Sequence, residues 1–500
     1  VHMMMAQNPV YVISFGGRET GGVKAAKQAV TAEKASGSET AYPRLMLAAP
    51  KSGSGKTMMT CGLLAAWKKR KIECRAFKCG PDYIDPMFHK YVLGIDGGNL
   101  DTFFLPEEEV RNQFKDLAAG ADLSVVEGVM GYYDGVGGND TWASSYDTAR
   151  ALDAHVVMVL DCKGASLYLA AEIKGFLEYR KDSRIRGVIL NRISPVMAER
   201  LVPEIEKLGI SVFGYLPECD AAKVTSRHLG LVIPEESKAL RERLELLALE
   251  MEKTVDVEGL LRLAGGAGEW KDDGEAAEGG AEAVIAIEAP GTERIRIGIA
   301  RDEAFCFYYQ ENIKLFESLG AEFVEFDPMR DEHLPKDIAG LMLGGGYPEL
   351  YAERLSANGS LLREIKEAAA GGMPILAECG GFLYLHEELE TKEGEVFPMA
   401  GVIAGRAFPT GKLSRFGYIG LVPYGDTPLL KEGEEIRGHE FHYWDSTACG
   451  NAMKAVKPGG KRSWDCIHAD GGLLAGFPHL YYPSNPSAAE RWLELCRKGT

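Results

Sequence analysis

The sequence predicts two α/β domains in tandem, each built on a mostly parallel sheet flanked by helices. From Arg44 onwards, buried-strand runs such as "RLMLAA", "HVVMVLD" and "IRGVILN" alternate with helical patterns, which is typical of parallel strands joined by crossover helices. The stretch "GGAGEWKDDGEAAEGGAEA" interrupts this series, and a second alternation starts at "RIRIGIA". We therefore assign residues 1–43 to an extension, 44–262 to the first domain, 263–293 to a linker and 294–500 to the second domain.

The composition argues against nucleic-acid and membrane partners. A net charge of -17 argues against nucleic acid and against an anionic membrane surface. No apolar run reaches membrane-spanning length, and no signal-peptide pattern is seen at the start of the sequence. The 10 cysteines are scattered without a C-x-x-C pair, so we expect reduced thiols in a cytoplasmic enzyme.

The first domain begins with a loop that is typical of nucleotide phosphate binding. "APKSGSGKT" follows a strand and precedes a helix, and its end matches the usual loop, although Pro50 replaces the first glycine. Backbone N–H groups there can hold phosphate oxygens, Lys56 can neutralise them and Thr57 can bind Mg²⁺. An ordinary glycine-rich turn is the alternative. The predicted cofactor-binding residues of this loop are Lys51, Gly53, Ser54, Gly55, Lys56 and Thr57.

Four acidic residues follow the next strands of the first domain. "KCGPDYIDPMFH" contains Asp82 and Asp85, and "VVEGVMGYYDG" contains Glu127 and Asp134. The carboxyl ends of parallel strands border the crevice where α/β ligands bind, so these acids are candidates for Mg²⁺ and phosphoryl-transfer chemistry. Any one of them alone would be read as a cap or a surface group. Together with Thr57, we expect Asp85 and Glu127 to hold the metal.

A cysteine in the second domain is the candidate nucleophile. In "PILAECGGFLYL" a buried strand ends at Glu378, and Cys379 stands at a sharp turn before a helix, as in a nucleophile elbow. A helix N-terminus is expected to lower the pKa of this thiol. Gly345 and Gly346 of "LMLGGGYPEL", together with Gly380, are predicted to form an oxyanion hole. One of 10 inert buried thiols is the alternative.

The general base for this cysteine has three candidates. His439 and His442 lie in "RGHEFHYWD", and His479 lies at the end of a late strand in "LLAGFPHLYYPSNP". Because spatial proximity to the thiol decides the matter, the residues alone leave this choice open.

From Arg44 to its end the chain resembles the cobyrinate a,c-diamide synthase family. The resemblance rests on ten motifs in one order: "APKSGSGKT", "KCGPDYIDPMFH", "NLDTFF", "VEGVMGYYDG", "GVILNRI", "SRHLGLV", "ARDEAFCFYY", "LGGGYPELYA", "AECGGFLYL" and "RGHEFHY". It implies a P-loop NTPase-like, dethiobiotin-synthetase-type domain that phosphorylates a macrocycle carboxylate with ATP-Mg²⁺. It also implies a class I glutamine amidotransferase-like domain that supplies ammonia to the acyl phosphate.

The resemblance also assigns roles to individual residues. It implies that Cys379 is the nucleophile and that His479, rather than His439, is its base. The wider amidotransferase class carries an orienting Glu two residues after this His, where this chain has Tyr481, in keeping with a Cys–His dyad. Asp82, Asp85, Glu127 and Asp134 match the acids of the phosphoryl-transfer site. Three further matches are Tyr83 and Ile84, which with Asp82 would contact the macrocycle, and Asn191, which would hold the nucleotide base.

The implied substrates are L-glutamine, ATP and a tetrapyrrole carboxylic acid, namely cobyrinic acid amidated on its a and c carboxylates. Nickel-sirohydrochlorin or sirohaem, amidated by the same chemistry, is the alternative substrate. Other function classes are a regulatory P-loop ATPase with an inactive amidotransferase domain, which Lys51 would suit, and an ATPase with a structural second domain. The presence of Cys379, His479 and all four acids argues against both. The oligomeric state stays open, with a homodimer as the candidate assembly.

Overall fold

The computed structural model describes residues 42–219, 234–268, 270 and 294–499. Residues 1–41, linker residues 271–293 and the motif "SRHLGLV" lie outside the described residues. Within the described ranges, no helix is long and apolar enough to cross a membrane.

The first domain is built on a parallel sheet. In the part of the chain that the structure describes, this sheet has seven strands in the order β3-β2-β4-β1-β5-β6-β7. The strands are β1 (Arg44–Ala48), β2 (Cys74–Cys79), β3 (Gly97–Leu100), β4 (Leu123–Glu127), β5 (His155–Asp161), β6 (Ile185–Asn191) and β7 (Ser211–Leu216). Six of them were predicted from apolar runs. β3 was missed because its sequence "GGNL" contains two glycines and an asparagine, which are poor strand formers.

Helices cover both faces of this sheet. They are α1 (Lys56–Lys69), α2 (Ile84–Phe88), α3 (Glu107–Ala118), α4 (Ser145–Ala151), α5 (Tyr168–Tyr179), α6 (Pro195–Glu206), α7 (Pro234–Thr254) and α8 (Val257–Gly265). Two consecutive helices, α7 and α8, close the domain. The chain breaks there because the Asp256 side chain caps α8 by accepting from the Gly259 N–H at 2.8 Å, and because Val255 forms a β-bridge with Gly214. Trp67 of α1 is fully buried in the hydrophobic core of this domain.

The second domain repeats this plan around its own sheet. Among the described residues the sheet has six strands in the order β10-β8-β11-β13-β23-β22, and only β22 runs antiparallel to its neighbour. The strands are β8 (Ile295–Ala300), β10 (Ala321–Phe326), β11 (Gly340–Leu343), β13 (Ile375–Glu378), β22 (His468–Asp470) and β23 (Leu473–Gly476). The helices are α9 (Gln310–Ser318), α10 (Ala352–Ala357), α11 (Gly359–Ala370), α12 (Gly380–Tyr384) and α13 (Pro486–Lys498). The predicted fold class, two mostly parallel α/β domains, is confirmed.

Smaller sheets that the sequence did not reveal surround this core. β9 (Phe305–Phe307) pairs with β12 (Gly345–Gly346). A mixed sheet contains β14 (His386–Glu390), β15 (Val396–Pro398), β16 (Ile403–Pro409) and β19 (Trp444–Ser446). An antiparallel sheet contains β17 (Arg415–Pro423), β18 (Ile436–His442), β20 (Met453–Val456), β21 (Ser463–Cys466) and β24 (His479–Leu480).

The antiparallel sheet carries the main contact with the first domain. The Tyr418 hydroxyl donates to Asp101 Oδ2 at 2.7 Å, and the Tyr481 hydroxyl donates to Gln113 Oε1 at 2.8 Å. The Tyr481 ring also stacks on Phe104, with centroids 4.6 Å apart. These contacts form only when the two domains are docked, so they favour one relative arrangement.

Candidate active site

The phosphate loop joins β1 to α1 and is braced by β6. Asn191, the last residue of β6, donates from its amide Nδ2 to the Ser54 carbonyl at 2.9 Å. Gly55 has φ 95°, and a Cβ there would lie 2.2 Å from Asn191 Nδ2, so only glycine fits. Lys56 Nζ donates to the Met130 carbonyl at 2.6 Å. Asn191, expected beside a nucleotide base, here holds the loop backbone.

A buried lysine sits between the acids that the sequence predicted. Lys78 Nζ, at the end of β2, lies 2.5 Å from Asp85 Oδ2 and 2.7 Å from Glu127 Oε1. The Thr57 hydroxyl donates to Glu127 Oε1 at 2.6 Å. His89 Nε2 lies 4.0 Å from Glu127 Oε2. We call Thr57, Lys78, Asp85, His89 and Glu127 the Lys78 cluster.

Burial and ion pairing shift the pKa values in the Lys78 cluster in opposite directions. Burial raises the pKa of Glu127 to about 7 and lowers that of His89 to about 4. Burial would also raise the pKa of Asp85, but Lys78 outweighs it and holds that pKa below its ordinary value. Although burial opposes it, the pKa of Lys78 is raised well above normal by Asp85 and Glu127. The cluster is therefore a compensated buried ion set, whose stability depends on every member being present.

The chemistry of the Lys78 cluster fits Mg²⁺. Among the described residues, no group of three or more His, Cys, Asp or Glu side chains is arranged to hold a metal ion. Mg²⁺, however, takes one or two carboxylates and completes its shell with phosphate oxygens and water. Thr57, Asp85 and Glu127 present such hard oxygens, and the buried Glu127 Oε2 has no hydrogen-bond partner within the described chain.

The other two acids lie outside the Lys78 cluster. Asp82 Oδ1 accepts from the N–H groups of Ile84 and Asp85 at 2.9 and 3.2 Å and so caps the start of α2. Burial raises its pKa to about 6. Asp134 is exposed and closes its own turn by accepting from the Gly131 N–H at 3.0 Å. Of the four acids, Asp85 and Glu127 therefore share the Lys78 cluster and Asp134 does not.

The cysteine stands at the predicted elbow. Between β13 and α12, Cys379 has φ 48° and ψ -100°, a conformation that is costly for a residue with a side chain. Its N–H donates to the Gly476 carbonyl of β23 at 2.8 Å, which ties the elbow to the sheet. Burial and the carboxylates of Glu349 and Glu440 raise the pKa of the thiol, against the smaller opposing effect of the Gly380 N–H. The expected lowering of this pKa is therefore wrong for the structure.

Glycines of β12 and of the first turn of α12 lie close together at the elbow. A Cβ on Gly380 would lie 2.9 Å from the Gly346 amide nitrogen, so these two backbone amides are close neighbours. A Cβ on Gly345 would lie 2.4 Å from His479 Cε1. The segment Gly345–Gly346 thus lies between the elbow and His479, where its N–H groups can serve as oxyanion donors.

The structure separates the three candidate histidines. His439 Nδ1 is 3.1 Å from the Tyr309 hydroxyl, and His442 is held by the Trp444 carbonyl and Glu440. His479 pairs with His439 across β24 and β18, with ring centroids 4.9 Å apart. Burial lowers the pKa of His479 to about 3, so its imidazole is neutral at physiological pH.

Tyr83 connects the two halves of the site. It follows Asp82 in the first domain, yet its ring is stacked on Phe307 at 5.2 Å and lies 5.3 Å from the His479 ring. On its other side Tyr83 borders a cleft of about 380 Å³ between the two domains. Side chains of both signs line this cleft: Arg75, Lys90, Arg301 and Lys314, with Asp96 and Asp116. Ile84, by contrast, packs against the apolar core of the first domain.

Sequence reasoning missed three site residues. Lys78 stands in the quoted motif "KCGPDYIDPMFH", and a lysine at a strand end next to two acids was an available signal. His89, the last residue of the same motif, belongs to the same cluster in the structure. Glu378 directly precedes the nucleophile, but nothing in its spacing indicated that its carboxylate lies 4.0 Å from His479.

Comparisons with known proteins identify the families of both domains. Residues 45–232 match the family of CobQ/CobB/MinD/ParA nucleotide binding domains, and residues 296–486 match the CobB/CobQ-like glutamine amidotransferase domain. Cobyrinate a,c-diamide synthase of Caldanaerobacter subterraneus subsp. tengcongensis is 39% identical, with 90% of this chain and 98% of that protein covered. The chain belongs to the cobyrinate a,c-diamide synthase family.

Two further relatives cover nearly the whole chain. Cobyrinate a,c-diamide synthase of Salmonella typhimurium is 37% identical over 91% of this chain and 98% of its own. Hydrogenobyrinate a,c-diamide synthase of Streptomyces coelicolor is 36% identical over 92% and 99%. As a member of the cobyrinate a,c-diamide synthase family, this chain is a glutamine-dependent amidating ligase of cobalamin biosynthesis whose nucleotide-binding domain uses ATP.

Replacing Lys78 with methionine tests whether the Lys78 cluster is a compensated ion set. The Lys78→Met variant leaves two buried carboxylates without their cation, which should cost about 3–5 kcal/mol of unfolding free energy. Because the carboxylates of Asp85 and Glu127 would then take up protons more readily, the deficit should shrink as the pH falls from 8 to 5. Denaturant unfolding across this pH range is the measurement.

Arg406→Met is the matched control, since Arg406 pairs with Glu388 at 2.7 Å on the surface. It should lose no more than about 1 kcal/mol. Equal, pH-independent losses in the two variants would contradict the description of the cluster.

Proposed function

We propose that this enzyme phosphorylates a carboxylate of a tetrapyrrole carboxylic acid with ATP and replaces the phosphate with ammonia from L-glutamine. The substrate is cobyrinic acid, amidated on its a and c carboxylates. The observation that carries the proposal is the loop Asp82–Asp85. Its last residue belongs to the Lys78 cluster, and its Tyr83 ring lies against His479, so a single loop links a phosphoryl-transfer site to a cysteine site.

The glutaminase half uses four groups of the second domain. Cys379 Sγ attacks the glutamine amide carbon while His479 accepts the thiol proton, and backbone N–H groups of Gly346 and Gly380 stabilise the oxyanion. His479 then gives this proton to the departing ammonia, and water hydrolyses the thioester to glutamate. Because burial keeps both the thiol and the imidazole neutral at rest, proton transfer accompanies the attack.

The synthetase half uses the phosphate loop and the Lys78 cluster. A carboxylate oxygen of the macrocycle attacks the γ-phosphorus of ATP, and ADP leaves. Lys56 neutralises charge on the transferred phosphoryl group, for which it must exchange its bond to the Met130 carbonyl for phosphate oxygens. Thr57, Asp85 and Glu127 would hold Mg²⁺, which supplies charge neutralisation at the phosphates when bound. Ammonia then attacks the acyl carbon, and phosphate is the leaving group.

The other predicted site residues of the first domain support phosphoryl transfer. Asp82 caps α2 and so fixes Asp85 in place. Asn191 fixes the phosphate loop, and Lys51 stands at its exposed start. Asp134, on the exposed turn, contributes its charge to nucleotide or metal binding at the rim.

The cleft beside Tyr83 suits a polycarboxylate with a flat apolar body. Its volume of about 380 Å³ is in the range of small-molecule sites. Arg75, Lys90, Arg301 and Lys314 outnumber its two acids, and Tyr83 and Met87 offer apolar surface to a macrocycle. We further infer a cytoplasmic enzyme, and a homodimer as its assembly.

Cys379→Ser and Lys56→Ala should show opposite dependence on the nitrogen source. Cys379→Ser should abolish glutamine-dependent amidation and keep turnover with high ammonium, because the synthetase site accepts free ammonia. His479→Ala should behave in the same way. Lys56→Ala should lose one to several powers of ten in rate with either nitrogen source. The measurement is amide formation with glutamine and with ammonium in parallel.

Loss of ammonium-dependent turnover in a folded Cys379→Ser variant would contradict the division of labour. Near-normal ammonium-dependent turnover in Lys56→Ala would contradict the phosphate-loop assignment.

Tyr83→Ala should uncouple the two reactions, since the ring separates the cleft from His479. We expect glutamate release to exceed amide formation and ¹⁵N from external ammonium to enter the product during glutamine-dependent turnover. Tyr83→Phe keeps the ring and is the matched control, with coupling close to that of the wild type. A one-to-one ratio of glutamate to amide in Tyr83→Ala would rule out this role.

The substrate is tested by product mass with cobyrinic acid and nickel-sirohydrochlorin supplied separately, each with ATP, Mg²⁺ and glutamine. Two mass increments for two amides on cobyrinic acid are the expected result. A clear preference for nickel-sirohydrochlorin would overturn the substrate assignment while leaving the two-site chemistry in place. Amidation of neither, in a protein that hydrolyses ATP, would favour the regulatory ATPase.

A further inference from the structure

The histidine of the glutaminase site has one ring nitrogen without a partner. His479 is buried, at 2% exposure, and its Nδ1 makes no hydrogen bond within the described chain. His439 and His442, in the same sheet, both have hydrogen-bond partners. A buried unpaired nitrogen costs free energy, so a partner that engages during the reaction is expected.

Glu378 is the carboxylate that faces this nitrogen. It is the last residue of β13, directly before Cys379, and its Oε2 lies 4.0 Å from His479 Nδ1. Its other oxygen, Oε1, accepts from the Tyr482 hydroxyl at 3.3 Å and from the Leu480 N–H at 3.4 Å. These two long hydrogen bonds hold the Glu378 carboxylate beside the His479 imidazole.

The position two residues after the histidine is engaged elsewhere. Tyr481 is buried and its hydroxyl donates to Gln113 Oε1 of the first domain. Its side chain therefore belongs to the contact between domains. The orienting group for His479 must come from another element, and β13 supplies it.

We propose that Glu378 is the positioning residue of the glutaminase site. Its carboxylate accepts a hydrogen bond from Nδ1–H of His479, which fixes the tautomer with Nε2 free to take the proton of the Cys379 thiol. It then stabilises the imidazolium that this transfer creates. The inference rests on the proposed roles of Cys379 and His479.

The geometry at rest is consistent with a bond that tightens in the reaction. A separation of 4.0 Å is about 1 Å too long for a hydrogen bond, and catalytic hydrogen bonds are often long before substrate binds. Burial raises the pKa of Glu378 to about 8, so the resting pair carries little charge. Within the described part of the chain, the titratable groups that interact with this carboxylate are His479, Tyr482, Tyr83 and Cys379.

Glu378→Gln, which keeps the side-chain size and removes the charge, tests the role. We expect glutaminase kcat to fall roughly 10²–10⁴-fold while KM for glutamine changes little, because transition-state charge loses its support. Glu378→Asp, which keeps a carboxylate, should recover part of this loss. In the wild type, kcat/KM should rise as the pH passes about 8 and Glu378 ionises, and this rise should be absent from Glu378→Gln.

Glu311→Gln is the matched control, since Glu311 of α9 is a buried glutamate of the second domain whose Oε1 accepts from the Asn99 N–H at 2.8 Å rather than facing His479. Its kcat should stay within about threefold of wild type. Ammonium-dependent amidation, which uses the other site, reports that each variant is folded.

The outcomes separate the inference from the proposed function. If Cys379→Ser retains glutaminase activity, the proposed function fails. If Cys379→Ser is inactive but Glu378→Gln keeps wild-type kcat, or raises only KM for glutamine, Glu378 does not position His479. Should Glu378→Gln fail to fold, Glu378→Asp decides: a shifted pH profile with reduced kcat supports the role, and a wild-type profile and rate overturn it.

Discussion

The insertion of one loop of the first domain into an aromatic cluster of the second is the contact on which the site depends. The Tyr83 ring lies within 4.5–5.7 Å of the rings of Phe307, Tyr309, His439 and His479. Aromatic contacts of this kind contribute about 0.5–1.5 kcal/mol each beyond the area that they bury. Tyr83 makes these ring contacts only when the two domains are docked.

Burial has opposite consequences at the two ends of this loop. In the Lys78 cluster the charges are retained because a lysine and two carboxylates compensate one another in a dry environment. In the cysteine site no such compensation exists, and burial leaves the thiol and imidazole neutral. In the proposed function, the first site receives a highly charged nucleotide. The second develops charge only when Cys379 attacks glutamine and His479 takes the thiol proton.

The sequence predicted the two sheets and the main motifs because these depend on short-range patterns. Apolar runs and the loop "APKSGSGKT" are local signals, and so is the strand–cysteine–helix turn at Cys379. The antiparallel sheets were not predicted, because strands such as β17 and β18 are defined by their pairing with each other. Phe416 and Phe441, for example, lie opposite each other only after folding. Spacing also could not show that Asp134 lies on an exposed turn, whereas Asp85 and Glu127 meet at Lys78.

The choice among three histidines shows where sequence reasoning stops. His439, His442 and His479 have similar local signals, and only their partners distinguish them. Tyr309 and Glu440 occupy the first two, whereas His479 has a free nitrogen opposite Glu378 and a glycine strand on its other side. The role proposed for Glu378, the residue before Cys379, could not be predicted from its position in the chain, because its carboxylate faces His479 only in the folded structure.

The loop Asp82–Asp85 also offers a physical route for coupling the two reactions. Asp82 caps α2, Asp85 pairs with Lys78, and Tyr83 between them contacts His479, so a shift of α2 on nucleotide binding would move the ring against the imidazole. Coupling between distant sites usually amounts to about 1–3 kcal/mol. One or two aromatic contacts made in one state and lost in the other would supply that amount. In the proposed function no separate signalling element is required, because the loop that places Asp85 beside Lys78 also carries the ring that contacts His479.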